Sequence, residues 1–286
     1  MLKGCFLCGS NKYHIIHRGV RNAPNINVLK CDCCGLVRLS DCLEENYYKE
    51  SKMRQNDSET DIHQIRVTAE NDDVRRYNYI KNLVQNKTYL DFGCGAGGVL
   101  RYSSTVAKKV YGIELEDSMC KQLNSEGIKC FGDIDEALKN INEKIDVISL
   151  FHVLEHLPEP IVILNKLKAM LSPNGVMIIE VPNADDALLS LYNCREFADF
   201  TYWESHIYLY NRETFSKLIK MAEMKVRFLG QIQRYPLSNT LYWLSKGQPG
   251  GHKCWSMLSN DTLDRQYEKQ LANLGIADTI IAMVEL

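Results

Sequence analysis

Four closely spaced glycines and two acids make the stretch from Thr88 to Glu114 the first place to look for chemistry. A short apolar run, Tyr89, Leu90 and Phe92, breaks into Gly93, Gly95, Gly97 and Gly98, and a second run, Val110, Tyr111 and Ile113, closes on Glu114. Glycine reaches backbone angles closed to other residues, and without a Cβ it lets a ligand lie against the main chain. A carboxylate at the end of the following strand, as at Glu114, is placed to accept both hydroxyls of a ribose. The turn also reads as GxGxxG, which alone would suit a dinucleotide. Asp91 argues otherwise, because a carboxylate at that mouth repels a diphosphate and attracts a cation. The expected guest is a nucleoside that carries positive charge and no phosphate.

A second chemistry lies near the N-terminus. Cys5-Phe6-Leu7-Cys8-Gly9 and Cys31-Asp32-Cys33-Cys34-Gly35 form two CxxC knuckles, each followed by a glycine that relieves the turn. Their spacing predicts a structural zinc ion on Cys5, Cys8, Cys31 and Cys34, with no coordination position left for a substrate. Cys33 and Cys42 are spare, Cys33 being the alternative to one of its neighbours. His14 and His17 become ligands only if a cysteine is displaced.

The run Asp91-Phe92-Gly93-Cys94-Gly95-Ala96-Gly97 resembles the first motif of class I S-adenosylmethionine-dependent methyltransferases, and Val110 to Glu114 resembles their acidic second strand. The resemblance implies S-adenosylmethionine as cofactor and an α/β Rossmann-like sheet of seven strands, mostly parallel with the last antiparallel. It implies cofactor contacts from Asp91, Gly93, Gly95, Gly97, Glu114 and Leu115, and adenine contacts from Asp133 and Ile134. For Asp133 a helix cap is the competing role. Phe151-His152-Val153-Leu154-Glu155-His156-Leu157-Pro158 is similar to the segment after the fourth strand in small-molecule members of the family, which puts Phe151 and His152 near the methyl group. There Glu155 and His156 have a structural alternative, orienting the next helix.

Trp203 to Tyr210 resembles the histidine-containing segment of these enzymes, so His206 is the first candidate for a catalytic base and His152 the second. Histidine titrates near neutrality, which suits it to that work. In sugar C-methyltransferases a glutamate directly precedes this histidine; here Ser205 does, with Glu204 one place earlier. The cysteine segment is similar to the N-terminal zinc segment of bacterial methyltransferases of sugar and polysaccharide pathways. That likeness implies a small sugar-type acceptor, such as a nucleotide-linked sugar or polysaccharide precursor. An RNA methyltransferase whose knuckles hold the substrate is one alternative, and a cofactor-binding relative without catalysis is another.

These residues need a scaffold, and 286 residues with 45% hydrophobic content can build one good core and a small accessory module. The expected division is a zinc module over 1–45, a linker and helical cover over 46–86, the cofactor-binding domain over 87–246, and a loop and helix over 247–286. A helix is expected over Val74–Val84 and further strands at 128–131, 145–150, 176–181, 225–231 and 240–244. The aromatic-rich stretch from Ala184 to Tyr208 should wall the acceptor site. From Thr262 onward, Leu263, Tyr267, Leu271 and Leu274 recur at helical spacing, and that helix should dock on the body or pair with a second copy. A net charge of −2 argues against a broad nucleic-acid-binding face. No apolar leader and no run near the roughly 20 residues of a membrane helix are visible, so the expected location is cytoplasmic with reduced thiols.

Overall fold

The computed structural model describes residues 4–41 and 62–286. The spare Cys42 and the first part of the polar stretch before the glycine turn lie outside the described residues.

Seven strands form one sheet in the order β10-β11-β8-β7-β4-β5-β6. They are β4 (Thr88–Phe92), β5 (Lys109–Ile113), β6 (Lys129–Phe131), β7 (Ile145–Phe151), β8 (Leu171–Pro182), β10 (Lys225–Ile232) and β11 (Thr279–Glu285). Only β11 runs against its neighbours, pairing antiparallel with both β10 and β8. The sheet is the expected Rossmann-like arrangement of mostly parallel strands.

Alternation along the strands feeds two cores. Leu90, Ile148 and Ile179 face one side, where they meet Ala137 of α4 (Ile134–Asn140), Leu164 and Leu167 of α5 (Pro160–Met170), and Phe215 and Leu218 of α8 (Arg212–Met221). Tyr89, Val147 and Ile178 face the other, against Ile80 and Val84 of α1 (Ile62–Val84), Val99 of α2 (Gly98–Ser104) and Leu123 of α3 (Asp117–Ser125). Helices therefore cover both faces, and the carboxyl ends of the parallel strands are left as the ligand edge.

Three expectations change. The helix expected from Val74 begins earlier, at Ile62, so the helical part of the 46–86 linker and cover is α1 over Ile62–Val84. The seventh strand is not 240–244: that segment lies inside α9 (Leu237–Lys246), whose buried Asn239, Thr240 and Trp243 share one helical face and whose end is set by Gly247 at φ 63°. The strand is instead Thr279–Glu285, an apolar run that reads as fully buried rather than alternating. As a result the expected boundary at 246 falls inside the sheet-forming part of the chain, since 279–285 sits between β10 and β8. The helix α11 (Asp261–Leu274) docks on its own chain, with Leu271 packed beside Ala187 and Ala277 and the Tyr267 hydroxyl donating to Thr240 at 2.8 Å.

The N-terminal strands β1 (Tyr13–His17), β2 (Val28–Cys31) and β3 (Val37–Leu39) make a second sheet, and its fourth strand, β9 (Tyr208–Leu209), comes from 170 residues further on. Among the described residues no helix is long and apolar enough to cross a membrane.

Candidate functional site

Register places the expected cofactor residues at one edge. Phe92 pairs with Ile113 and Ile113 with Phe131, so Gly93, Glu114 and the Gly132-Asp133 turn stand side by side. Gly93 has φ 72°, and a Cβ there would stand 2.5 Å from Val153 Cγ2; Gly97 has φ 76° and is closed off by Leu123. Any other residue at either position would push the turn away from the strand ends. Glu114 locks the turn: the Gly95 amide donates to one carboxylate oxygen at 2.7 Å and the Glu116 amide to the other at 2.9 Å. Leu115 is exposed beside it, and Ile134 is buried. Asp133 takes the helix-cap role, its carboxylate accepting from the Glu136 amide at 2.8 Å.

Asp91 is buried beneath this turn and accepts from the Ser149 hydroxyl at 2.5 Å. Burial pushes its pKa up to about 7, against the pull of that hydrogen bond. Asp73 of α1 reaches over the loop so closely that Gly98 could carry no side chain. It is pushed up to about 6 by burial, which outweighs the pull of Arg76, with the neighbouring charges of Asp72 and Glu70 adding to the rise. Two buried acids thus lie at the glycine turn, each held above its ordinary value by burial that the nearby Arg76 does not offset. Asp73 carried no signal in the sequence, because nothing local to α1 marks the loop it overhangs.

The second part of the site begins where β7 ends. Phe151 is buried under the Arg76 guanidinium, 5.1 Å from its ring centre. His152 adopts φ 56°, a left-handed angle that a non-glycine residue takes only under constraint. The constraint is visible: its amide donates to the Glu180 carbonyl at 2.8 Å, and its ring nitrogens lie 3.2 Å from Glu155 and 3.2 Å from Glu180. Glu180 is fully buried at the end of β8 and accepts two bonds from Arg75, at 2.9 and 2.8 Å, and two from Arg76, at 3.2 and 3.1 Å. Burial alone would raise Glu180, but His152 and the two arginines hold it well below the usual carboxylate range. Arg234 closes the ring, bonding Asp72 and reaching the His152 Nε2 at 3.2 Å.

Beyond this network opens a cavity of about 460 Å³. Phe197 and Phe200 of α7 (Arg195–Thr201), Trp243, Tyr235 and Tyr267 supply its apolar wall, and His152, His206, Arg76, Arg234, Asp186 and Asp278 its polar one. The expected aromatic wall is therefore partly there, with Phe197 and Phe200 from the 184–208 stretch. His206 reaches the cavity, but burial and the adjacent His156 push its pKa down to about 3, too low for efficient proton abstraction at neutral pH. Glu204 accepts from Asn22 at 3.2 Å, which ties this segment to the N-terminal module. Asp186 has the opposite character: burial, then the charge of Asp278, push it up to about 7. Asp186 and Asp278 escaped the sequence reading because they lie 92 positions apart with no local motif around either, and only the fold brings them together.

The four expected zinc ligands converge. Cys5 Sγ lies 3.4 Å from Cys34 Sγ and Cys8 Sγ 3.6 Å from Cys31 Sγ, close to the roughly 3.8 Å that thiolates take around one tetrahedral ion. All four sulfurs lie within 4.8 Å of one another, and Cys33 stays outside the group on the surface. His14 pairs instead with Asp32 at 2.6 Å. The donor set fits a closed structural zinc site. That module reaches the cavity through the backbone: Arg38 pairs with Tyr208, the Leu39 amide donates to the Ile207 carbonyl at 3.0 Å, and the Arg21 amide to the Tyr202 carbonyl at 2.9 Å.

The sequence matches the profile of a family described as a methyltransferase domain over residues 63–227. Curated relatives include the ubiquinone biosynthesis O-methyltransferases of Histophilus somni, 32% identical over 43% of this chain and 54% of the relative, and of Actinobacillus pleuropneumoniae serotype 7, 30% identical over 38% and 52%. The chain spans about half the length of these relatives. Similar solved structures include a SAM-dependent methyltransferase from Archaeoglobus fulgidus, 17% identical with a TM-score of 0.53 over 85% of this chain and all of that one. Another is the plantazolicin methyltransferase BamL, solved with a triazolic desmethylPZN analog and SAH, 13% identical with a TM-score of 0.52 over 84% of this chain and 92% of that one. At such identities the likeness concerns the fold.

Proposed function

The chain belongs to this methyltransferase-domain family, and from that premise we propose that it transfers the methyl group of S-adenosylmethionine to the oxygen of a small hydroxylated acceptor. The observation that carries the reading is the pair Asp91 and Asp73, two buried acids facing a glycine turn whose next strand ends on Glu114. A ligand with a sulfonium, an ammonium and a ribose adds positive charge beside these acids and uses Glu114 without requiring room for a phosphate.

The acceptor enters the aromatic cavity beside His152. Transfer is an in-line displacement: the acceptor oxygen attacks the methyl carbon, the carbon–sulfur bond breaks with its electron pair going to sulfur, and the hydroxyl proton must leave. Of the groups lining the cavity, Asp186 suits that proton best, because its pKa of about 7 matches the working pH, whereas that of His206 lies near 3. His152, with carboxylates on both ring nitrogens, is suited to holding the strand ends in position.

The relatives found are named for ubiquinone biosynthesis and lend no support to a sugar acceptor, which rests on the likeness of the cysteine segment alone. They favour a hydroxyl as the methylated group. The test is incubation with isotope-labelled S-adenosylmethionine and a panel of phenols, catechols and nucleotide sugars, read by mass. Gain of one labelled methyl on a hydroxyl is the expected result; cofactor that binds yet labels no member of the panel, under conditions where a control enzyme does, would count against the acceptor class.

A further inference from the structure

We propose that Glu155, His156 and His206 form a second metal site, one that takes a divalent transition ion of the zinc type and leaves a coordination position open toward the acceptor cavity. Their ligand atoms all lie within 4.8 Å of one another. Around an ion with bonds of about 2.0–2.2 Å such atoms stand roughly 3.0–3.5 Å apart, so modest side-chain rotation closes the set.

Three observations point to a ligand here. His156 Nδ1 lies 2.7 Å from the Ser205 carbonyl, which can only accept, so Nδ1 carries the hydrogen and Nε2 presents its lone pair, 4.0 Å from Glu155 Oε1. That carbonyl bond is the outer support that fixes a metal-binding imidazole. Glu155 is fully buried, and while Oε1 meets His152, Oε2 is sealed from solvent without a partner. His206 Nδ1 is likewise sealed without a partner, its ring centre 5.0 Å from that of His156. Two buried polar atoms left unmatched, on residues that each bring a ligand atom within 4.8 Å of an aligned imidazole, are what a missing cation leaves behind.

Two imidazoles and one carboxylate favour zinc, iron, manganese or cobalt over magnesium or calcium, which prefer oxygen alone. Three protein ligands, unlike the closed four-cysteine set, leave a position for an outside oxygen. His206 lines the cavity, so that oxygen comes from water or from the acceptor; the acceptor part of this statement rests on the function proposed above, and the metal site itself does not. The site also gives the N-terminal module a task, because β3 holds β9 and with it the segment that carries Ser205 and His206.

The test uses the full chain dialysed against zinc and then against metal-free buffer, with zinc counted per chain and the ion's first shell read by X-ray absorption. Wild type is expected to hold one zinc more than His206→Ala and one more than Glu155→Gln, and its spectrum to contain a nitrogen and oxygen shell that both variants lose. Equal counts in wild type and both variants, or an all-sulfur shell in wild type, would overturn the proposal. Circular dichroism and calorimetric titration with S-adenosylmethionine accompany each variant. Intact fold and cofactor binding in a variant that has lost one zinc separates this site from the cofactor reading, and a wild type that binds both zinc ions but no cofactor leaves the metal site standing while the proposed function fails.

Discussion

The cofactor side and the acceptor side of the cleft are built in different ways. The cofactor side comes mainly from one continuous strand-turn-helix-strand unit: the turn from Gly93, the lock by Glu114 and the acid Asp91 lie within 24 residues, and α1 adds Asp73 over the turn. The acceptor side is assembled from distant pieces. Arg234 bonds Asp72 across 162 positions, Arg75 bonds Glu180 across 105, and β3 pairs with β9 from the far end of the domain. Local construction makes a site that survives changes elsewhere; a site assembled at long range depends on every element that holds it. The two sides should therefore respond differently to the same perturbation.

The largest expected effect follows from the four-cysteine module. Replacing Cys5 and Cys34 by serine removes half of the sulfur set, and structural zinc contributes folding free energy outright. Methyl transfer should fall by about 100-fold or more as the 203–209 segment loses its partner strand, while the affinity for S-adenosylmethionine changes by no more than about threefold. A parallel loss of both, measured by turnover and calorimetry on the same sample, would erase the distinction between the two sides.

Asp186→Asn is expected to lower kcat by about 100-fold or more with cofactor affinity unchanged, the scale of a lost general base. A change confined to KM would reduce Asp186 to a binding role.

Glu180→Gln leaves buried cations facing a neutral amide, and breaking such a pair should cost about 3–5 kcal/mol in urea unfolding. The pH dependence has a definite sign. Asp72 is held down to about 2 in the fold from an ordinary value of 3.8, because the opposing effect of burial is outweighed by Arg234, Arg76 and Arg75, so its charge stabilises the protein above that ordinary value and the stability is lost as pH falls toward 2. Glu180 shifts in the same direction, so the variant should lose less stability over that range than wild type.

Phe200→Ala trims one face of the cavity and should raise the acceptor KM by about tenfold, in line with roughly 1–3 kcal/mol for lost apolar contact in a pocket.

The comparison also explains what could be read from sequence. The placement of the glycine turn, Asp91, Glu114 and the paired CxxC knuckles was legible because each arrangement is set by neighbours in the chain. The strand Thr279–Glu285 was missed because its apolar run from Ile280 to Val284 lacks the alternation of a half-buried strand, and its partners lie about 100 positions away and about 50 positions away. Residues 240–244 misled in the opposite sense: Leu, Tyr and Trp suit a strand, but the residues that decide are Pro236 before them and Gly247 after. Asp73, Asp186 and Asp278 gained their meaning only from burial and from each other, which no local pattern encodes.

The acids at the glycine turn carry the account, and their titration tests it most directly. Asp91 near 7 and Asp73 near 6 are raised by burial in spite of the pull of Arg76, so binding a further cation must lower both and release protons in that range. Calorimetric titration with S-adenosylmethionine at pH 6.5, in two buffers of different ionisation enthalpy, should reveal net proton release, and from pH 8 to pH 6 the affinity should weaken by about tenfold. In Asp91→Asn most of the proton release should vanish and affinity should drop by about 30- to 100-fold, the equivalent of roughly 2–3 kcal/mol for a charged hydrogen-bonding group. Tight binding with no buffer dependence, equally strong in Asp91→Asn, would contradict the central claim.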